Sequence, residues 1–327
     1  MRNLLFIVLF FLVSCGGSGY EGENLALGIL PPPPPPDLVN DSEMLDNPIL
    51  YSTENIYCDL SELIYNDDES VNTTSDYAWS CNTESRLLSG NGIPNHEVGT
   101  FPNANNPNSI SVQNINESFT IGPTLTWETG LYPQLGRNAF ALNSVKFDPG
   151  TAGRCNDSGI CSLANGSGSW NIEALGHDTF DFGDDLNHAH VQPNGAYHYH
   201  GIPELYLEKL GQGQTLTLVG WAPDGFPVYA RYGYTDPNDS GSAIKAMEPS
   251  WRLKTVGDDG RPNINVNTGE PIPLGAFTQD FEYVAGYGDL DECNGRTGVT
   301  PEFPEGIYHY IVTDGFPFFS RCFKGTF

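Results

Sequence analysis

From about Tyr77 to the C-terminus, turn-forming sequence interrupts the chain at intervals of about ten residues. The interruptions include "GNGIPN" (90–95), "APDGFP" (222–227), "DPNDSG" (236–241), "GDDGRPN" (257–263) and "TDGFP" (313–317). Between them lie short apolar or alternating runs such as "SISVQNI", "TLTLVGWA", "FPVYARYGY" and "YHYIVT". Spacing of this kind leaves no room for long helices and predicts many short strands joined by tight turns. The composition agrees: 37 Gly, 25 Pro, 18 Phe, 16 Tyr and 5 Trp against only 3 Met describe an aromatic-cored, loop-rich chain. The expected fold is mainly β, an antiparallel, disulfide-braced sandwich or barrel-like domain with a few short helices. Helical pattern is confined to "PELYLEKLGQG" (203–213) and "SAIKAM" (242–247).

The first residues carry a different signal. Arg2 precedes an apolar run from Leu4 to Val13, and "LVSCG" follows. The run is too short to span a bilayer, which takes about 20 residues, and reads as the core of an export signal over residues 1–14. "LVSCG" resembles the lipobox of bacterial lipoproteins, which implies cleavage before Cys15 and lipidation of its sulfur. Residues 15–50 then form a tether that includes six consecutive prolines, Pro31 to Pro36. In polyproline II geometry those six make a stiff spacer of about 20 Å. The expected location is the bacterial cell envelope, at the outer membrane or cell surface, with the lipid anchor as the only membrane contact. A single domain is expected over residues 51–327.

Six cysteines remain after Cys15: Cys58, Cys81, Cys155, Cys161, Cys293 and Cys322. An even number in an exported chain implies disulfides. Nearness along the chain favours Cys58 with Cys81, Cys155 with Cys161, and Cys293 with Cys322. With 14 Lys plus Arg against 41 Asp plus Glu, the formal charge is −27, which repels phosphate backbones and excludes a nucleic-acid partner. The oxygen-rich loops 235–242 and 257–270 have the acidic density of a calcium site but not the EF-hand spacing.

Four of the seven histidines lie in "HAHVQPNGAYHYHG" (188–201). In a strand, alternate residues share a face, so His188 pairs with His190 and His198 with His200. "QPNG" fits a three-residue hairpin loop in which Gly195 takes a positive φ. In that register Gln192 faces Ala196, His190 lies opposite His198, and His188 lies opposite His200. All four imidazoles then share one face, close enough to converge on one ion. Neutral imidazoles suit copper or zinc, whereas calcium wants oxygen. His309 and His177 are candidate additional ligands, and Asp184 or Asp185 would ligate or orient a ring.

A weak echo runs through the chain. "GAYHYHG" followed by "APDGFPVYARYG" recurs as "GIYHYIV" followed by "TDGFPFFSRCFKG", which duplication and convergence of two aromatic hairpins explain equally well.

Several segments, among them "GNGIPNHEVGTFPNANNPNSI" (90–110), "FALNSVKFDPGTA" (140–152), "HAHVQPNGAYHYHGIP" (188–203) and "GDLDECNGRTGVTPEFPEGIYHY" (288–310), occur in an order that resembles the YHYH-domain family of exported bacterial proteins over residues 77–327. The resemblance implies no particular reaction. It implies a second YHYH near the C-terminus, where this chain has "YHYI" with Ile311 in the last place.

Three functions follow from these residues. The leading one is transition-metal binding by the histidines. The second is a glycan- or protein-binding module that uses exposed Tyr and Trp, with the histidines in a core. The third is metal-dependent hydrolysis or oxidation. No GxSxG, Walker or HExxH motif is present, and sequence leaves open whether the chain is an enzyme.

Overall fold

The computed structural model describes residues 49–126 and 138–326. The expected signal, Cys15 and nearly all of the tether lie outside them. Strands dominate, and among the described residues no helix is long and apolar enough to cross a membrane.

Two sheets form the body. The first is a four-stranded antiparallel meander of β1 (Ser61–Asn66), β2 (Thr73–Cys81), β3 (Ser85–Gly90) and β4 (Ile115–Thr120). Its sequence alternates as a half-buried strand must: Ser75, Tyr77 and Trp79 point inward while Asp76, Ala78 and Ser80 are exposed. The second sheet has eight strands. In chain order they are β5 (Ala139–Ala141), β6 (Lys146–Phe147), β7 (Ala189–Val191), β8 (Tyr197–Tyr199), β9 (Thr217–Trp221), β10 (Pro227–Ala230), β11 (Gly295–Gly298) and β12 (Ile307–Val312). In space they run β7-β8-β6-β5-β9-β10-β12-β11. The sheet is open, with edges at β7 and β11, so the barrel alternative does not hold, and two of its pairs, β6–β8 and β10–β12, are parallel.

Both faces of the large sheet are covered, which is why its strands read as continuous buried runs rather than alternating ones. On one face Tyr197, Tyr199, Tyr308 and Tyr310 pack with Ala139, Val219 and Val228 beneath α1 (Glu204–Lys209) and the C-terminal segment. Phe319 of that segment stacks on Phe147 with centroids 5.0 Å apart. On the other face Phe140, Leu142, Leu218 and Trp221 meet Tyr77, Trp79, Leu88 and Phe119 of the meander. The Trp79 Nε1 donates to Leu142 O at 2.8 Å, and the buried Arg86 guanidinium lies 3.7 Å from the Trp221 ring centroid. A third cluster, around Trp170, Phe180 and Phe277, is built from loops and a small three-stranded sheet of Arg154–Cys155, Cys161–Ser162 and Trp170–Asn171.

The disulfides pair as neighbours along the chain: Cys58–Cys81, Cys155–Cys161 and Cys293–Cys322. Bridges of this kind typically contribute about 2 to 4 kcal/mol each. One element differs from expectation. "SAIKAM" is not helical: Ile244–Ala246 is a strand paired antiparallel with Tyr232–Tyr234. A six-residue helical pattern is too short to nucleate alone, and an available strand partner decides its state.

The eight-stranded sheet divides at β5–β9 into two halves of identical connectivity. Each starts with a hairpin (β5–β6, β9–β10), passes to the sheet edge (β7, β11), and returns with a strand inserted parallel to the second (β8, β12). The first turns match: Ala141 N donates to Val145 O and Ser144 N to Ala141 O, as Ala222 N does to Phe226 O and Gly225 N to Ala222 O. Ser144 and Gly225 both have positive φ, 69° and 87°.

Candidate functional site

The hairpin β7–β8 positions the histidines. Gly195 has φ +84°, Gln192 N donates to Ala196 O at 2.9 Å, and Gly195 N donates to Gln192 O at 2.8 Å. The resulting register pairs His190 with His198, and His200 lies two residues further on the same face.

Three imidazoles converge. His190, His198 and His200 are all buried, and one ring nitrogen from each lies within 4.8 Å of the other two. Their ring centroids form a near-equilateral triangle with sides of 4.6, 4.5 and 4.7 Å. The Nε2 atoms of His190 and His200 are 3.2 Å apart. Two nitrogens bound at 2.0 to 2.1 Å to one tetrahedral ion stand about 3.3 Å apart, so this spacing suits two ligands on one metal, and it is equally that of the hydrogen bond the two rings make with each other.

Neighbouring groups set the rings. Asp184 Oδ1 lies 2.5 Å from His190 Nδ1, which puts the proton on Nδ1 and turns the Nε2 lone pair toward the other two rings. His198 Nδ1 donates to Ala196 O at 3.3 Å, leaving its Nε2 free in the same sense. Phe182 stacks on His190, with centroids 5.7 Å apart and an interplanar angle of 20°. His200 Nδ1 is buried with no hydrogen-bond partner among the described residues. Burial pushes both His198 and His200 well below the usual histidine pKa, and neighbouring imidazoles add to the shift, with Lys146 acting on His198. Both rings are therefore neutral, the form that binds metal. Lys146 sits beside His198 in the β6–β8 register and is held by Asp148 Oδ2 at 3.1 Å and Gln192 Oε1 at 2.8 Å.

The other expected ligands lie elsewhere. His188 is opposite His200, whose N donates to His188 O at 2.7 Å. Its backbone, however, is left-handed at φ +50°, and its ring bonds Ile202 O through Nδ1 at 2.7 Å. His177 bonds Glu173 O through Nε2 at 2.8 Å and lines a different cavity. His309 is on β12, five strand positions from β8 in the sheet order, or about 24 Å at the usual strand spacing. Asp185 does not approach the triad: it accepts from Tyr197 Oη at 2.6 Å and from Gly99 N at 2.9 Å. In the acidic loops the carboxylates serve local turns, as where Asp236 Oδ1 accepts from Asn238 N and Asp239 Oδ1 from Gly241 N.

Sequence reasoning did not find the loop that frames the site. Asn106 and Asn108 each donate through Nδ2 to Val191 O, at 3.1 and 2.8 Å, fixing the "NANNPN" segment against β7. The asparagine density of that segment was the available signal, since such residues bond backbone outside regular structure. A cavity of about 530 Å³ opens between this loop, residues 150–152 and 163–165, and the three histidines.

Residues 116–325 match the family described as YHYH protein. The chain belongs to this family. The match spans both halves of the large sheet. No curated protein and no solved structure matches the chain.

Both YHY stretches of this YHYH protein occupy equivalent strands, β8 and β12. Tyr197 Oη donates to Asp185 at 2.6 Å and Tyr308 Oη to Asp291 at 2.9 Å. Tyr199 accepts from Asn143 Nδ2 at 3.0 Å, where Tyr310 donates to Asp224 Oδ2 at 2.6 Å. The backbone bond from His200 N to His188 O recurs from Ile311 N to Asn294 O, and His188 and Asn294 share a positive φ of 50° and 58°. By this register His198 corresponds to His309, but His190 corresponds to Arg296, His200 to Ile311 and Asp184 to Leu290.

Proposed function

We propose that this protein binds one divalent transition metal ion, copper or zinc, through His190, His198 and His200, with Asp184 orienting His190. Lipid on Cys15 would hold this centre at the bacterial cell envelope. The observation that carries the reading is three buried imidazole nitrogens within 4.8 Å of one another, in a motif whose second copy keeps its strands and tyrosine bonds without the triad. Core packing alone does not call for three buried imidazoles facing each other. A carboxylate on the far nitrogen of a ligating histidine is the usual outer-shell arrangement of metal sites. The rival reading, a platform of exposed Tyr and Trp, keeps the exposed Tyr57, Tyr65 and Tyr287 but has less support from tryptophan, since Trp79, Trp170 and Trp221 are all inside.

Reconstitution with zinc or copper followed by elemental analysis tests the proposal. The expected result is about one equivalent of metal per chain, lost in a His198→Ala, His200→Ala double variant. Retention of less than about a tenth of an equivalent by the unaltered chain would overturn it.

A further inference from the structure

The cavity of about 530 Å³ that shares a wall with the triad has the size of a small-molecule site, whose usual range is about 300 to 1,000 Å³. Its lining is unusual for this chain. Beside the histidines it is made of Asn, Gln, Thr, Gly, Ala, Pro, Val, Leu and Phe, and no Asp, Glu, Lys or Arg is among them, although the chain has 41 acidic residues. Its amides are largely committed to the protein. Asn106 and Asn108 hold Val191 O, Asn105 Nδ2 holds Asp181, and Gln192 is bound by both Lys146 and Asp148. Such amides act as walls and offer little to the many hydroxyls of a sugar. Leu163, Phe182 and Val191 supply apolar surface.

A dication on the three imidazoles would bring a charge of two to the wall of this half-open cavity. Asp184, bonded to His190, offsets one unit; Asp148, which acts on His200, is already paired with Lys146 at 3.1 Å, and the lining offsets none. A buried charge requires a partner, and a four-coordinate ion with three protein ligands has a place for one more donor. Phosphate, with its higher charge and need for cationic donors, finds no Arg or Lys in the lining.

Resting on the metal reading above, we propose that the centre takes as its outer ligand the single carboxylate of a small organic acid, with the apolar body of the acid in the cavity beside Leu163 and Phe182.

The full chain loaded with Co²⁺ tests this, because cobalt bound by imidazoles has visible bands that respond to a new ligand. Benzoate should shift the bands saturably and bind about tenfold tighter than acetate, since the ring covers apolar surface of Leu163 and Phe182. Benzamide, its neutral isostere, and inorganic phosphate should leave the bands unchanged. Leu163→Asp, which places a carboxylate in the wall, should weaken benzoate by about tenfold on the cobalt-loaded fraction. Stoichiometric cobalt with no response to benzoate, or with acetate and phosphate equal to it, overturns the ligand proposal and leaves the metal reading standing. Failure to load cobalt, zinc or copper overturns both.

Discussion

In the first half of the large sheet Tyr197 and Tyr199 reach across to Asp185 and Asn143; in the second, Tyr308 and Tyr310 reach to Asp291 and Asp224. The turns, the left-handed residues before the edge strands and the strand order repeat as well. The opposite face diverges. Where the first half gathers His190, His198 and His200, the second sets Arg296 opposite His309, with Ile311 buried beside Met247 and Leu290. Arg296 donates to Tyr234 O at 2.8 Å, and His309 is packed edge-on against Tyr229, with centroids 5.3 Å apart. The tyrosine face thus belongs to the scaffold, since both halves need it to join their strands. The histidine face is dispensable to the scaffold, since one half folds without the cluster.

The sharpest way to break this comparison is to exchange residues between halves. His200→Ile gives the first half the residue of the second and removes one of three ligands. Zinc affinity by competition with a chelator should fall at least a hundredfold or so, beyond the range of about 10 to 100 seen for outer-shell losses. Far-ultraviolet circular dichroism should be unchanged. Asp184→Leu, which brings in the side chain that the second half carries at Leu290, keeps all ligands but frees the His190 ring, and the same competition should show a loss of about 10- to 100-fold.

Acid tests the lone histidine of the second half. Burial holds His309 at about 4, against about 6.5 when unfolded, so unfolding takes up a proton. Stability from this group is fully present above about 6.5 and is lost as pH falls toward 4. Between pH 7 and 5 the contribution is on the order of 2 kcal/mol. His96, His198 and His200, also pushed down by burial, add to the loss, while Asp224 and Asp291, raised to about 6, oppose it. The check is therefore a difference: urea unfolding at the two pH values should show His309→Leu losing about that much less than the unaltered chain. The smallest effect concerns the turns. Gly195→Ala strains a positive φ and places Cβ 1.9 Å from Ser111 Oγ, whereas at Gly306, φ +88°, the nearest atom is 3.6 Å away. Gly306→Ala should cost about 1 kcal/mol by the backbone alone, and Gly195→Ala more, measured by thermal unfolding.

Much of this was legible in the sequence because it is local. Turn chemistry every ten or so residues announced short strands, the spacing of "QPNG" fixed the His190–His198 register, and cysteine proximity matched the bridges. What sequence could not give was long-range or conformational. His188 satisfies the alternation rule, but one left-handed residue turns its ring to Ile202 O. His309 sits in the same tripeptide as His198, and only the strand order shows that the two are in opposite halves. The echo between the two YHY segments stayed ambiguous because a long excursion separates the paired elements in one copy and none does in the other. The hydrogen bonds to Asp185 and Asp291 make the two YHY copies equivalent, but the two DGFP copies are not: Asp224 is buried in the β9–β10 turn, whereas Asp314 follows β12 and is exposed, paired with Arg231.

Anomalous diffraction from crystals of the zinc-loaded chain tests the difference between the halves most directly. The account predicts one strong peak about 2.1 Å from a ring nitrogen of each of His190, His198 and His200, with nothing beside His309 and Arg296. No peak among those three rings, or the main peak at His309 or in the acidic loops, would contradict it.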